Sequence, residues 1–281
     1  PVVERHDSGL STIVASLFLL FSISWSRIRP SCSVVFQTRM MTPRSRPPRG
    51  LFITLEGTEG CGKSTQAKLL GEHLRNQGYD TVETREPGGT PLAEKIRSLL
   101  LDRADEPVAP ETEAFLVLAA RRQHVAQVIE PALARGSIVL CDRFIDSTLA
   151  YQGYARGLDI ATLERLNRLA AHALMPDLTL VFDLPVSTGL ARRRSAAELN
   201  RLDRESLRFH RSVRTGFLDL AKRHPARIKV LSARASKEAV ARAVARVVTP
   251  MLGHIRRGVD HNRPAASRPS PQKSQARHAI R

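Results

Sequence analysis

One short stretch decides the fold class of this chain. It reads Gly57-Thr58-Glu59-Gly60-Cys61-Gly62-Lys63-Ser64. Two glycines stand five positions apart, a lysine and a hydroxyl residue follow, and the stretch separates the apolar run Leu51–Leu55 from a segment of helical periodicity. Such a loop turns backbone N–H groups toward phosphate oxygens, while Lys63 adds a positive charge and Ser64 offers a hydroxyl to Mg²⁺. We therefore predict a P-loop whose eight residues bind nucleotide phosphates.

Apolar runs and helical segments alternate outward from this loop. The predicted strands are Leu51–Leu55, Thr81–Thr84, Ile138–Cys141, Leu178–Phe182 and Ile228–Leu231. The predicted helices include Lys63–Gln77, one capped by Thr90 with Pro91 in its first turn, and Lys237–Leu252 capped by Ser236. This alternation is typical of parallel strands covered on both faces. It predicts an α/β, P-loop NTPase-type three-layer fold with a five-stranded parallel sheet and helices on both faces.

Length and composition exclude several other classes of protein. The 281 residues are 42% hydrophobic and 25% charged, values near the globular average, which argues against a disordered, collagen-like or polytopic membrane protein. The three cysteines, Cys32, Cys61 and Cys141, supply neither a disulfide framework nor a four-cysteine zinc site. The histidines show no spacing typical of a transition-metal site. We expect a cytoplasmic protein.

The net charge of +17 is concentrated near the two ends of the chain. Residues 1–50 carry seven arginines against two acids, and residues 255–281 carry seven basic residues against one acid. The stretch 254–281 is rich in Arg, Pro, Ser and Gln and predicts a basic disordered tail. We expect residues 51–253 to form the folded domain and residues 1–50 to be an extension. A mis-assigned translation start would explain this extension.

The uncharged run of residues 8–26 leaves a second interpretation of the extension open. Its nineteen residues are long enough to cross a bilayer. However, it contains six serines and lacks a positively charged upstream flank, so membrane association is not the favoured hypothesis.

Two further motifs follow the second and third predicted strands, at the edge of the sheet where ligands bind. They are Thr84–Thr90, which reads TREPGGT, and Cys141–Gly153, which reads CDRFIDSTLAYQG. Together with the P-loop, Arg121 in an AAR segment, the PDLTLVFDL run and the arginines before Leu202, they form an ordered series between Phe52 and Val248. This series resembles the thymidylate kinase family of the bacterial type.

The resemblance implies transfer of the γ-phosphoryl group of ATP to dTMP, with Mg²⁺. The acceptor is already a phosphate dianion, so no general base is expected, and positioning and cation placement supply the catalysis. Lys63 and Arg143 are the predicted catalytic cations outside the lid, and Ser64 and Asp142 are the predicted magnesium ligands.

The resemblance also implies a set of dTMP contacts. They are Glu59, Glu86, Pro87, Arg121, Arg143, Ser147, Thr148, Tyr151 and Gln152. In the family, the acid at Glu59 contacts the sugar 3′-hydroxyl, the arginine at Arg121 contacts a thymine carbonyl, and the ring at Tyr151 crowds the 2′ position. The family usually stacks a phenylalanine on the thymine, whereas this chain has Val117 there and Phe115 two residues earlier. The Glu86–Pro87 bond matches one that is cis in the family.

A mobile lid is implied at about residues 191–201, with Arg192, Arg194 and Arg201 as candidate catalytic cations. Gly60 stands where some family members carry arginine, so the cation is expected from the lid. The helix Ala161–His172 carries Leu163, Leu166, Leu169 and Ala170, which helical spacing predicts to face the core. The family uses such helices in a homodimer, which we expect here as well.

Two alternative functions remain open at the level of the sequence. One is a P-loop kinase for another nucleoside monophosphate or nucleoside. The other is a P-loop ATPase that binds nucleic acid through the basic ends of the chain. The second-substrate residues Arg143, Ser147, Thr148 and Tyr151 argue against it, and we expect no specific binding of nucleic acid.

Overall fold

The structure is a computed structural model that describes residues 49–102, 107–194 and 199–255. These residues belong to a single unit, Ser45–Arg281. The uncharged run of residues 8–26, the central part of the predicted lid, the side chain of Arg194 and the predicted tail beyond residue 255 lie outside the described residues.

Five parallel strands form one sheet in the order β2-β3-β1-β4-β5. They are β1 (Phe52–Glu56), β2 (Thr81–Arg85), β3 (Ile138–Asp142), β4 (Leu178–Asp183) and β5 (Ile228–Ser232). Every residue of β1 is buried, because β3 and β4 flank it and helices cover both faces. The predicted fold class is confirmed, and each predicted strand is observed to within one residue.

Nine helices surround this sheet in the described part of the chain. They are α1 (Lys63–Asn76), α2 (Pro91–Leu101), α3 (Pro110–His124), α4 (Glu130–Ala134), α5 (Ile145–Thr148), α6 (Ile160–Ala170), α7 (Val186–Arg194), α8 (Leu207–Arg223) and α9 (Lys237–Val248). The π-helical segments Val125–Ile129 and Leu149–Ala155 join α3 to α4 and extend α5. Two 3₁₀ turns, Leu202–Arg204 and Thr249–His254, complete the elements.

The predicted helix starts agree with the structure. The hydroxyl of Thr90 accepts the N–H of Ala93 at 3.1 Å, and that of Ser236 accepts the N–H of Ala239 at 3.3 Å. Each bond satisfies one of the N–H groups that a helix leaves unpaired at its first turn. The segment predicted as one helix to Leu252 instead ends as α9 at Val248, and a 3₁₀ turn follows.

The core lies on both faces of the sheet. Alternate side chains of β1 point to opposite faces, so Ile53 and Leu55 pack against α1 and α9 while Phe52 packs with Phe144 and the segment around Ile129. A third cluster places α8 against Leu149–Ala155. Two residues just outside the range 51–253 also contact the fold: Arg49 pairs with Asp177, and Ile255 is buried in the core.

The prediction that Leu169 faces the core is wrong. In α6 the buried side chains are Leu163, Asn167 and Ala170, whereas Leu169 is 76% exposed and Leu166 is half-buried. The helix turns Asn167 inward because its amide finds two buried partners, the carbonyl of Ile145 and the guanidinium of Arg121. An amide with satisfied hydrogen bonds can occupy a core position that spacing alone assigns to leucine.

Candidate active site

The P-loop joins the end of β1 to the start of α1. Its glycines adopt positive φ angles, 140° at Gly57, 70° at Gly60 and 93° at Gly62, which side chains rarely allow. A Cβ on Gly60 would lie 2.0 Å from the carbonyl oxygen of Gly189 in α7, so only glycine permits this approach. The ammonium of Lys63 donates to the carbonyl of Thr58 at 2.9 Å, which holds it across the loop.

A cleft that we call the P-loop cleft opens above this loop. Its lining residues are Glu59, Gly60, Gly62, Lys63, Ser64, Thr65, Arg85, Glu86, Arg97, Asp142, Arg143, Arg192, Arg193 and Asn200. Six of these side chains are cationic and three are acidic. A cleft with this excess of positive charge suits a polyphosphate.

Ser64 and Asp142 bring two oxygens together on the wall of the P-loop cleft. The hydroxyl of Ser64, at the start of α1, donates to Oδ2 of Asp142, at the end of β3, at 2.5 Å. Hydroxyl and carboxylate oxygens are the ligands that Mg²⁺ prefers, so this pair fits that ion. Within the described residues, no three His, Cys, Asp or Glu side chains form a group that could hold a metal ion.

Arg143 lies at the junction between the loop and the sheet. Its backbone adopts φ 72° directly after β3, and its N–H donates to the carbonyl of Leu55 at 3.0 Å. The guanidinium donates to the carbonyl of Gly57 at 3.0 Å, to the hydroxyl of Ser147 at 3.2 Å and to Oε1 of Glu59 at 2.7 Å. These contacts fix the guanidinium at the point where the P-loop meets the β3 edge.

Glu59 remains ionised in this setting. Burial opposes its ionisation, but the positive charges of Arg143 and Lys63 and the hydroxyl of Tyr151, which donates at 2.8 Å, outweigh that cost and lower its pKa to about 2. Tyr151 also lies under Arg143, whose guanidinium carbon is 4.9 Å from the ring centroid. The three side chains form one rigid group.

A second cleft, which we call the Arg121 cleft, continues from the first. Its lining residues are Glu59, Glu86, Pro87, Arg97, Leu101, Val117, Arg121, Arg143, Phe144, Ser147, Thr148, Tyr151, Gln152, Asn200 and Leu202. Five residues line both clefts, Glu59, Glu86, Arg97, Arg143 and Asn200. All the predicted acceptor-site residues therefore lie together, and the shared residues connect them to the P-loop.

Arg121 carries its charge in a side chain that is only 1% exposed, and hydrogen bonds hold this side chain in place. Its Nε donates to Glu86 at 2.8 Å, and its Nη1 donates to Thr148 at 2.9 Å and to Asn167 at 2.5 Å. A buried charge is tolerated only when it is paired and hydrogen-bonded, and these contacts meet that need. Glu86, next to a cis peptide bond to Pro87, acts here as the anchor of Arg121.

Val117 lines the Arg121 cleft. Phe115, which precedes Val117 by two residues in α3, is 60% exposed and does not line either cleft. The buried rings that line the Arg121 cleft are Tyr151 and Phe144, and the guanidinium carbon of Arg121 lies 5.1 Å from the centroid of Phe144. Among the described residues, the aromatic side chains of this cleft thus come from the segment after β3.

The candidate lid arginines take different places. Arg192 and Arg193 in α7 line the P-loop cleft, and Arg193 pairs with Asp203 at 2.9 Å. Arg201 is directed instead to the carbonyl of Leu100 at 3.0 Å and to Oε2 of Glu113 at 2.6 Å. The structure therefore brings Arg192, but not Arg201, to the P-loop.

Sequence reasoning missed Arg97, which lines both clefts. Its Nη1 donates to the carbonyl of Pro87 at 2.9 Å, and burial together with the nearby charge of Arg85 lowers its pKa. Its position two turns into α2, directly after the TREPGGT motif, was an available signal, because a helix that starts at the sheet edge runs along the cleft.

Glu56 is a second residue that the sequence did not single out. It ends β1 fully buried, and accepts the N–H of Phe144 at 2.7 Å and the hydroxyl of Ser147 at 2.6 Å. Burial, followed by the negative charge of Asp146, raises the pKa of Glu56 to about 8. Its two bonds connect the strand below the P-loop to the segment that carries Arg143.

Fold and site together define a P-loop protein with a second small-molecule cleft, the arrangement of a nucleotide-dependent kinase. The thymidylate kinase family profile matches residues 55–244. Thymidylate kinase of Pseudomonas putida strain W619 is 53% identical over 206 residues, which are 73% of this chain and all of that protein. Thymidylate kinase of Geobacter sulfurreducens is 53% identical over 207 residues, 71% of this chain and 96% of its own length.

A solved structure agrees with these matches. The crystal structure of thymidylate kinase from Ehrlichia chaffeensis has a TM-score of 0.59 and 36% identity, over 72% of this chain and 99% of that one. The chain belongs to the thymidylate kinase family. The helices in the described ranges include none with the length and apolar character needed to cross a membrane.

The raised pKa of Glu56 predicts a pH-dependent stability. The folded state keeps the proton up to about pH 8, whereas the unfolded chain releases it near pH 4.5, so this contribution is complete below pH 4.5 and is lost as pH rises toward 8. The quantity to follow is the difference in the free energy of unfolding between the parent and Glu56→Gln, taken as parent minus variant. This difference should fall by up to ~4 kcal/mol between pH 5 and 8. Urea unfolding at each pH measures this difference.

The surface variant Glu83→Gln, which loses only its ion pair with Arg75, is the matched control. A difference between parent and Glu56→Gln that stays constant from pH 5 to 8 would contradict the prediction.

Proposed function

We propose that this protein transfers the γ-phosphoryl group of ATP to dTMP and releases dTDP and ADP. The observation that supports this most is the junction of the two clefts, where Glu59 and Arg143 line both. Two anionic nucleotides can meet there end to end, one on the P-loop and one over Arg121. Membership of the thymidylate kinase family supports the same reaction.

ATP would place its phosphates in the P-loop cleft. The backbone N–H groups of Gly57–Ser64 and the positive end of α1 would bind the phosphate oxygens, and Lys63 would hold the transferred group. Ser64 and Asp142 would hold Mg²⁺, which when bound neutralises charge on the nucleotide phosphates. These contacts align the donor and reduce the repulsion that an anionic acceptor meets.

Arg143 would bind the phosphate of dTMP. Its guanidinium is preorganised by Gly57, Ser147 and Glu59, so little reorganisation is needed when an acceptor phosphate arrives. The acceptor oxygen is already anionic near pH 7, so this chain needs to supply no base. Positioning and compensation of charge remain as the work of the protein.

The Arg121 cleft would bind the nucleoside. Arg121 can donate to a thymine carbonyl, and Ser147, Thr148 and Gln152 supply further polar atoms at the base edge. Glu59 would accept the 3′-hydroxyl, and the ring of Tyr151, held by Glu59, would crowd a 2′-hydroxyl. Because Val117 offers no ring for stacking, Phe144 contributes the aromatic surface.

The lid would close over the transferring phosphoryl group and exclude water. Arg192 already faces the P-loop cleft and is our first candidate for the cation that stabilises the transition state. Arg194 stays a second candidate. Arg201 is bound to Glu113 and would therefore hold the base of the lid in place.

We further propose a cytoplasmic homodimer. Four large apolar side chains are exposed on helices that pack together: Leu92 and Leu99 on α2 at 51% and 65%, Phe115 on α3 at 60% and Leu169 on α6 at 76%. Their burial in a second copy would explain why α6 exposes a leucine. Cys61 and Cys141, both buried and unpaired, suit a reducing compartment.

Substitution of Arg143 tests the reaction. Arg143→Ala should lower kcat/KM for dTMP roughly 100-fold, because a preorganised cation at the reacting phosphate is lost. The measurement is dTMP-dependent release of ADP. Arg122→Ala, which removes a surface arginine paired with Glu130, is the control and should retain the parent rate. Turnover of Arg143→Ala near the parent level would refute this role.

Substitution of the lid arginines separates their roles. Arg192→Ala should lower kcat roughly 100-fold with little change in the KM for dTMP, because its charge would act mainly in the transition state. Arg201→Ala should instead change KM and kcat together, since it loosens the base of the lid. Steady-state kinetics with both substrates varied measures these changes, and equal effects on kcat and KM in the two variants would contradict the assignment.

The dimer is tested by charge on the apolar surface. The double variant Phe115→Glu, Leu169→Glu should change the mass measured by light scattering from that of a dimer to that of a monomer, because two carboxylates cannot be buried unpaired. Leu207→Glu, at an exposed leucine of α8, is the control and should remain dimeric. A parent protein that is monomeric at micromolar concentration would exclude this interface.

A further inference from the structure

Gln152 has a fixed orientation in the Arg121 cleft. It lies in the π-helical segment Leu149–Ala155, is 4% exposed and lines the cleft. Its Nε2 donates to Oε1 of Glu113 at 2.8 Å. An ionised carboxylate only accepts hydrogen bonds, so the NH₂ end of the amide must face Glu113 and the carbonyl oxygen must be at the other end.

Glu113 is ionised because it is surrounded by donors. Its side chain is 1% exposed, and its Oε2 accepts from Arg201 at 2.6 Å and from Arg156 at 3.1 Å. Burial opposes ionisation, but the bonds from Arg201 and Gln152 and the charge of Arg156 outweigh it and lower the pKa of Glu113. At neutral pH the carboxylate therefore cannot donate to Gln152.

We propose that Glu113 is a positioning residue that sets the base specificity of the enzyme by fixing the amide of Gln152. With its NH₂ end held by Glu113, Gln152 can offer only its carbonyl oxygen to a bound base. That oxygen accepts a ring N–H, as thymine and uracil provide, and repels an unprotonated ring nitrogen, as cytosine provides. The inference rests on the proposed function, since it needs a base in this cleft.

The opposite polarity is fixed nearby. The guanidinium of Arg121 only donates, and Glu86 and Asn167 hold it in place. Thr148, which accepts from Arg121, precedes Gln152 by four residues, about one helical turn. A donor next to an acceptor matches the adjacent carbonyl and ring N–H of an oxo-pyrimidine. An amino-pyrimidine would present an amino group and a bare nitrogen, so both contacts would be mispaired, and mispaired buried groups are a strong source of discrimination.

Glu205 provides the matched control. It accepts from Arg156 at 2.6 Å, as Glu113 does, whereas the amide of Gln152 donates to Glu113. Glu205→Gln therefore weakens the ion pair with the same arginine, Arg156, and loosens the region after the lid, but it does not release the amide of Gln152. A general effect of lost charge would appear in both variants, whereas an effect on base choice should appear only in Glu113→Gln.

The experiment measures kcat/KM of the full chain for dTMP and for dCMP. In Glu113→Gln the neutral amide can donate as well as accept, so Gln152 can turn, and the preference for dTMP over dCMP should fall by roughly tenfold or more. Glu205→Gln should keep the parent preference even where both rates fall. An unchanged preference in Glu113→Gln, or an equal loss in Glu205→Gln, overturns the proposal.

A second variant tests the route through Gln152 and covers the case in which Glu113→Gln does not fold. Gln152→Leu alone should also lose the preference, and adding Glu113→Gln to it should cause no further loss. A preference that survives in Gln152→Leu, or that falls again in the double variant, overturns the proposal. A parent that does not phosphorylate dTMP would refute the proposed function, whereas an active parent with unchanged variants refutes only this inference.

Discussion

The ion pair between Arg143 and Glu59 is the interaction on which the rest of the site depends. Arg143 belongs to the segment after β3 and Glu59 to the P-loop after β1, and their 2.7 Å contact closes the gap between the two. The left-handed backbone of Arg143 aims the guanidinium back across the loop. Both residues line the P-loop cleft and the Arg121 cleft, so the ion pair lies where the two clefts meet.

Each buried acid of the site has a definite structural task. Glu86 anchors Arg121, Glu56 holds the segment around Ser147, and Glu113 joins Gln152 to Arg201. The pKa of Glu56 is raised and that of Glu113 is lowered, because their neighbours differ. Glu113 has donors on every oxygen, whereas Glu56 faces a second carboxylate and little positive charge. The site is therefore an organised lattice of hydrogen bonds in which donors and acceptors have assigned directions.

Features that depend on local sequence could be predicted, and features that depend on distant partners could not. The P-loop, the five strands and the caps at Thr90 and Ser236 follow from neighbouring residues. Glu113 reads as a surface acid near the start of a helix, because its partners are 39 and 88 residues away in the chain. Leu169 reads as core for the same reason, since helical spacing does not reveal that Asn167 has buried partners.

The backbone contact between Gly60 and Gly189 has a consequence for how this protein can change shape. Neither residue has a side chain, so the backbone of the P-loop lies directly against the backbone of α7. In the proposed kinase, the lid would therefore not hinge at this contact, and any closing movement would begin farther along the chain. A triphosphate bound in the P-loop and the helix that leads into the lid would keep one fixed geometry relative to each other.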